Sequence, residues 1–323
     1  MSETGRSVCL SVITPCLNGS RFIDGFFSAF ERQNVNAGRY EIVVVDNGSE
    51  DDSFRILQGY AEKLGHVHVY QFIGKRGSYA ARNFAIAQSN GAILAFTDID
   101  CLPTDQWLGG ILDRKDELMG GRLIAGPVEL FSERSKPNVF ESYDLLINLN
   151  QEQYVKRNLG VTANLVVSRP VFDEVEGFAE VGSGGDFDFC RRCAERGYQV
   201  YFEKALRVRH PAIRSFAGLI AKEKRKGQGI AEIFSISQSN RTTTVRYVAL
   251  QVLGLFLQPF QWRHIASVMR SDGIRIESIR LAALILQLGW IHRWAILKTL
   301  LFQPLPAPTN SPSIRKRKNS GNR

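Results

Sequence analysis

The segment Phe96-Thr97-Asp98-Ile99-Asp100-Cys101-Leu102-Pro103 puts two carboxylates two residues apart at the end of an apolar run. If that run is a strand, alternate residues project to one side, and both carboxylates reach one spot. Carboxylate oxygens combined with substrate phosphates suit a hard divalent cation, Mg2+ or Mn2+. A cation there would offset the charge that builds on a departing diphosphate. The plainer alternative is an Asp-x-Asp surface turn; the buried strand in front of the pair favours the metal. A third carboxylate, Asp46, follows Ile42-Val43-Val44-Val45 and can accept a hydrogen bond from a base N–H or a ribose hydroxyl. Asn47 or Ser49 could instead cap a helix there, with Asp51 and Asp52 in its first turn. Arg82, in Arg76-Gly77-Ser78-Tyr79-Ala80-Ala81-Arg82-Asn83, stands one turn into a helix. It can pair with substrate phosphates, hold the metal loop, or make an ordinary salt bridge to a sheet-end carboxylate.

Those groups need a scaffold that gathers them. The first hundred residues alternate strand and helix. Strands are expected at 8–14, 41–45, 67–73 and 92–97, and helices at 20–33, 51–64 and 78–88. The order implies an α/β fold with a mainly parallel sheet flanked by helices, whose ligands sit at the carboxyl ends of the strands. Asn18, Asp46 and Asp98 fall at those ends. Further on, helices are expected at 138–154, 169–175 and 186–196, and strands at 161–168 and 200–208.

From about residue 215 the pattern changes. Helices are expected at 216–235, 244–262 and 279–303, strongly apolar with basic residues between them. None has the uninterrupted apolar length of a spanning helix. They fit helices lying in a membrane interface, anchored by Trp262, Trp290 and Trp294, or else a helical cap packed on the main body or on a partner. Charge divides at the same place. Residues 1–210 hold 23 Lys+Arg against 28 Asp+Glu, whereas residues 211–323 hold 18 against 4. A basic C-terminal third points to an anionic surface. The tail Arg315-Lys316-Arg317-Lys318 has no interleaved aromatics, which argues for lipid and against nucleic acid. Five cysteines, at 9, 16, 101, 190 and 193, imply no disulfide framework. Cys190 and Cys193 stand on a helix with no second pair and read as packing residues. His66 and His68 alternate along one strand and read as structural. The polar start Met1–Arg6 shows no secretory pattern, so the expected location is cytoplasmic, peripheral on the inner face of the plasma membrane.

Taken together, Val12-Ile13-Thr14-Pro15-Cys16-Leu17-Asn18, Val44-Val45-Asp46-Asn47-Gly48-Ser49, Ala80-Ala81-Arg82-Asn83 and Thr97-Asp98-Ile99-Asp100-Cys101-Leu102-Pro103 resemble the family 2 glycosyltransferases in order and spacing. The likeness continues through Thr162-Ala163-Asn164, Gly177-Phe178, Gly184-Gly185-Asp186-Phe187-Asp188 and His210-Pro211, and covers about residues 8–212. It implies a GT-A fold, a nucleotide-sugar donor (usually a UDP-sugar), Mg2+ or Mn2+, and inverting single displacement. By position, Pro15 and Asn18 would line the nucleotide pocket, Asp46 would contact the base, and Arg82 would sit near the base or diphosphate. Asp98 and Asp100 would form the metal motif, with Asp100 the direct ligand and His210 near the metal. Asn47, Asn164 and Asp188 join the substrate-binding candidates. Asp186 would be the catalytic base, since an inverting transfer needs a carboxylate to take the acceptor's proton. Many relatives carry Glu-Asp where this chain has Gly185-Asp186, which leaves the choice between Asp186 and Asp188 open. Both can also serve a helix N-terminus.

The division implied is a glycosyltransferase domain at 1–214, a helical membrane-interface region at 215–308 and a basic tail at 309–323. Within the first, 1–103 would bind the nucleotide sugar and 104–214 the acceptor, a glycan or lipid-linked hydroxyl. A dinucleotide dehydrogenase is excluded, because G-x-G-x-x-G is absent. A nucleotidyltransferase lacks its phosphate loop after the first strand. A non-catalytic sugar-nucleotide-binding scaffold at the membrane is the remaining alternative, opposed by the joint presence of Asp98, Asp100 and Asp186. The Gln-x-x-Arg-Trp motif of processive relatives is missing.

Overall fold

The computed structural model describes residues 8–237, 241–257, 259–272 and 276–302. Its N-terminal part follows the expected alternation: β1 (Leu10–Cys16), α1 (Ser20–Glu31), β2 (Tyr40–Asp46), α2 (Ser53–Lys63), β3 (Val67–Gln71), α3 (Ser78–Ala87) and β4 (Ile93–Phe96). The four strands are parallel in the order β3-β2-β1-β4. Every residue of β2 is buried, as a β-branched strand covered on both faces should be. On α1 the stripe Ile23, Phe26, Phe27 and Phe30 faces the sheet.

The middle is more broken than its pattern suggests. It runs β5 (Leu102–Pro103), α4 (Trp107–Asp113), α5 (Lys115–Met119), β6 (Leu123–Ala125), β7 (Val128–Phe131), α6 (Val139–Ile147), α7 (Gln151–Val155), β8 (Leu165–Ser168), α8 (Arg169–Glu174), α9 (Gly185–Glu195), β9 (Val200–Phe202) and β10 (Val208–Pro211). The large sheet extends to β3-β2-β1-β4-β8-β6-β9, with β8 antiparallel to both neighbours. A small second sheet has the order β5-β10-β7.

The helix expected over 138–154 divides into α6 and α7. Leu149 takes a left-handed φ of 56°, and the Asn150 side chain caps α7 by accepting from the Gln153 N–H. The strand expected from 161 begins only at Leu165, because Val161–Asn164 closes a turn through Asn164 N–H to Val161 C=O. The strand expected over 200–208 becomes β9 and β10, which belong to different sheets.

Beyond the small sheet lie α10 (Phe216–Ser237), α11 (Arg241–Leu257), α12 (Pro259–Asp272) and α13 (Ile276–Phe302). One helix was expected over 244–262; Pro259, which cannot donate within a continuous helix, opens a separate α12. Among the described residues no helix is long and apolar enough to cross a membrane. α13 crosses α10 with backbones almost touching: a Cβ on Gly227 would lie 2.5 Å from the His292 carbonyl oxygen. Buried charge ties α10 to α6 and α13. Lys222 Nζ donates to Asp144 Oδ1 at 2.8 Å, Lys226 Nζ to Asn148 Oδ1 at the end of α6 at 3.1 Å, and His292 Nδ1 lies 3.1 Å from Glu223 Oε2. The basic tail at 309–323 lies outside the described residues.

Candidate active site

β4 stops at Phe96, and Asp98 to Cys101 form a turn closed by Cys101 N–H to the Asp98 carbonyl at 3.0 Å. The two carboxylates are therefore brought near each other by a turn, and strand alternation has no part in it. They diverge to separate partners. Asp98 ion-pairs through Oδ1 with Arg82, whose guanidinium is buried. Asp100 Oδ2 lies 3.4 Å from His210 Nε2. The small sheet makes the second meeting possible. β5 follows the turn directly and pairs antiparallel with β10, Arg209 opposite Leu102, which carries His210 to Asp100.

At the end of β2, Asp46 is fully buried. Its Oδ2 accepts from the N–H groups of Gly48 and Ser49, each at 3.2 Å, while its Oδ1 has no partner among the described residues. A buried carboxylate oxygen without a donor is costly unless a ligand supplies one. Asn47 caps no helix. Its Nδ2 donates to the Phe72 carbonyl at 3.0 Å and its Oδ1 accepts from Gly77 N–H at 2.7 Å, which fixes the loop leading to α3. Asn18 is exposed, left-handed at φ 51°, and locked to the loop after β2: its N–H donates to Ser49 Oγ and its Oδ1 accepts from Glu50 N–H, both at 2.8 Å. Pro15, half-buried, sits at the end of β1 in register with Val45.

Asp186 lies in the first turn of α9 and is buried. Its Oδ2 accepts from Thr162 N–H at 3.2 Å, its Oδ1 accepts from Phe187 N–H at 2.9 Å, and the Tyr79 hydroxyl also bonds to it. Burial pushes this carboxyl above its ordinary range, against those hydrogen bonds and the nearby Arg82 charge, which pull it down. One helix thus serves both acidic centres. Tyr79 and Arg82, three apart on α3, hold Asp186 and Asp98 respectively, and the Arg82 guanidinium lies 5.5 Å from the Tyr79 ring centroid. Tyr79 went unnoticed as a site residue in the sequence; its i,i+3 spacing from Arg82 was the available signal.

Two candidates have other work. Asp188 spends both oxygens on Arg191 and Arg192, each at 2.8 Å. Arg192 also donates to the carbonyls of Val175 and Gly177, so Asp188 braces α9 against the chain before it. Asn164 is fully buried. Its Oδ1 accepts from Trp107 Nε1–H at 3.0 Å, and its Nδ2 donates to Pro127 and Leu206 carbonyls at 3.0 and 2.7 Å. It joins the two sheets and points no polar atom at a ligand. Cys190 and Cys193 are buried free thiols, with burial raising both. His68 Nε2 lies 3.5 Å from the buried Glu41, whose carboxylate also accepts from Ser11 Oγ at 2.6 Å.

The Glycosyl transferase family 2 model matches residues 11–175. Glycosyltransferase AglE of Haloferax volcanii is 32% identical over 291 residues, 88% of this chain and 93% of its own. The chain belongs to glycosyl transferase family 2. The teichuronic acid biosynthesis glycosyltransferase TuaG of Bacillus subtilis, a putative assignment, is 32% identical over 117 residues, 36% of this chain and 44% of its own. Among solved structures, the mannosyltransferase PcManGT of Pyrobaculum calidifontis, in complex with GDP-Man and Mn2+, superposes with a TM-score of 0.60 at 17% identity, over 90% of this chain and 87% of that one. Staphylococcus aureus TarS 1-349 in complex with UDP-GlcNAc gives 0.52 at 17% identity, over 90% and 91%. These likenesses fix the fold of this glycosyltransferase as GT-A.

The residues around Asp100 fit a divalent cation. The ligand atoms of Asp100, Cys101 and His210 lie within 4.8 Å of one another. His210 Nδ1 is 2.8 Å from the Pro211 carbonyl, which can only accept, so Nδ1 carries the hydrogen. Nε2 is then the nitrogen that faces the Asp100 carboxylate, near enough for one cation to take both as ligands. A backbone carbonyl holding the far ring nitrogen is the usual support of a metal-bound histidine. Burial pushes the Cys101 thiol well above its ordinary range; the Asp100 carboxylate and the His210 ring offer an oxygen and a nitrogen donor, which suit Mg2+ or Mn2+.

Proposed function

We propose that this enzyme moves a sugar from a nucleotide-diphosphate donor to a hydroxyl of a glycan or lipid-linked acceptor, with inversion, in polysaccharide or glycolipid biosynthesis. The observation that carries the reading is the facing of Asp100 and His210 Nε2 in a family 2 glycosyltransferase. Asp100 and His210 would hold Mg2+ or Mn2+, with Asp98 kept alongside by Arg82. The bound metal would neutralise the diphosphate oxygens. The unpartnered Oδ1 of Asp46 would take a hydrogen bond from the base or ribose, with Pro15 and Asn18 lining the same pocket. Asp186 would act as base. Burial makes its carboxylate more basic than usual, which suits removal of the acceptor's proton as that oxygen bonds to the anomeric carbon and the bond to the diphosphate breaks. A UDP-sugar is the first donor to try; GDP-Man and UDP-GlcNAc are the donors bound to the two structural neighbours.

The helical region would rest on the anionic inner face of the plasma membrane. Val245, Leu250, Leu253, Phe256 and Leu257 of α11, Trp262 of α12, and Trp290 and Trp294 of α13 are exposed, and the sequence after residue 210 is strongly basic. Such a surface suits interfacial binding.

The deciding experiment incubates wild type and Asp100→Ala with Mn2+ and a panel of UDP-, GDP- and dTDP-sugars, and follows nucleoside diphosphate release. Release from one donor, dependent on metal and absent in the variant, is expected. No release from any donor, together with no metal-dependent nucleotide binding, would leave a non-catalytic scaffold.

A further inference from the structure

The turn that delivers Asp186 is Gly182-Ser183-Gly184-Gly185, and Gly184 is left-handed at φ 79°. Glycine-rich turns are mobile unless something holds them, and this one is held from outside the sheet body. Gly182 N–H donates to Glu232 Oε2 on α10 at 2.8 Å. A Cβ on Gly229 of α10 would lie 2.1 Å from the Ser183 carbonyl oxygen, and one on Gly184 would lie 3.0 Å from Ile233 Cδ1. Ile233 packs at the edge of the cluster that includes Tyr79 and Phe178. Gly227 and Gly229, two residues apart, point to opposite sides of the helix. Gly227 meets the backbone of α13 and Gly229 meets the turn. α10 is thus a plate pressed between α13 and the base-bearing turn, with backbone against backbone on both sides.

We infer that Glu232 and Gly229 are positioning residues for Asp186, so that the C-terminal helices complete the active site rather than append to it. This rests on Asp186 being the base. Glu232 supplies an acceptor that fixes the turn, and Gly229 supplies the closeness that lets it reach. Neither touches the reacting atoms. Both act on the distance between Asp186 and the acceptor hydroxyl, to which rate is steeply sensitive.

The test uses the full chain with Mn2+ and the donor that the panel selects. Glu232→Ala is expected to lower kcat roughly tenfold, leaving the donor KM within about twofold. Glu232→Gln, whose amide oxygen can still accept from Gly182 N–H, is expected to restore most of the loss. Gly229→Ala, whose Cβ would press on the Ser183 carbonyl, is expected to lower kcat as well; alanine favours a helix over glycine by about 1 kcal/mol, so a rate loss there does not come from lost helicity in α10. Hydrogen exchange read on peptides spanning 180–187 is expected to quicken in Glu232→Ala and to recover in Glu232→Gln. Wild-type kcat in Glu232→Ala, or a loss that Glu232→Gln fails to restore, overturns the inference, provided Asp186→Asn abolishes turnover. If Asp186→Asn stays active, the base assignment has failed instead. Were no donor turned over, unchanged exchange at 180–187 in Glu232→Ala would by itself overturn the latch.

Discussion

In the sheet body, every residue of β1 except Pro15 is buried, as is all of β2; on α11, Phe256 is 80% exposed and Val245 65%. The body closes its own core and leaves polar groups at one edge. The helical region closes only part of its core, around Leu219, Ile285 and Leu288, and leaves a broad apolar face outward. Exposed apolar residues of that kind suit the membrane contact proposed above. The candidate carboxylates stand on the sheet body and the exposed apolar residues on the helices, so substitutions can probe the two separately.

The largest separation is expected at the carboxylates. Asp100→Ala should lower turnover about a thousandfold or more with an unchanged melting temperature, read by nucleoside diphosphate release and thermal unfolding. Next comes the joint between the two sheets. Trp107 is fully buried and bonded to Asn164, so Trp107→Ala should cost about 3–5 kcal/mol and lower Tm by roughly 10 °C in differential scanning calorimetry. A Tm unchanged by that substitution would break the picture of a self-sufficient body.

A smaller effect is expected under α10. Burial alone would raise the Glu223 carboxyl, but hydrogen bonds and charge from His292 and Lys226 outweigh it and hold it down to about 2. A carboxyl depressed in the fold stabilises above its unfolded pKa of roughly 4.3 and loses that contribution as pH falls through about 2, a window worth about 3 kcal/mol. Acid titration followed by tryptophan fluorescence should show the helical region loosening between those values, and Glu223→Gln should flatten the dependence. Smallest in stability is the outward face. Phe256→Ser with Leu253→Ser should leave Tm and turnover of soluble substrates unchanged while weakening co-sedimentation with phosphatidylglycerol vesicles roughly tenfold. Equal vesicle binding by wild type and variant would remove the interface from that face.

Much of the body was legible because its signals are local. The Ile-Val-Val-Val run of β2 and the phenylalanine stripe of α1 report burial directly. The strand-end positions of Asp46 and Asp98 follow from the apolar runs of β2 and β4. The pairing of His210 with Asp100 was legible only through family resemblance, because it depends on β5 meeting β10 across more than a hundred residues. Asn164 and Asp188 joined the substrate candidates through the family resemblance; their partners Trp107, Arg191 and Arg192 become visible only when the chain is folded. The helical region hid most. Its hydrophobic residues do not repeat cleanly at helical spacing, since α10 is covered on two sides and α13 on several, so the approach of Glu232 to Gly182 could not be read from the pattern, whereas Pro259 was a visible signal for the split between α11 and α12.

The tryptophans divide along the same line as the two halves. Trp107 is sealed in the body, while Trp262, Trp290 and Trp294 are each about half exposed on the helices, the last two stacked at 5.9 Å and 11°. Indole emission shifts to shorter wavelength as water leaves the ring. The water-sensitive indoles all lie on the helices, and the one in the body is already dry. A blue shift on adding vesicles would therefore come from the helices and report them entering a dry layer.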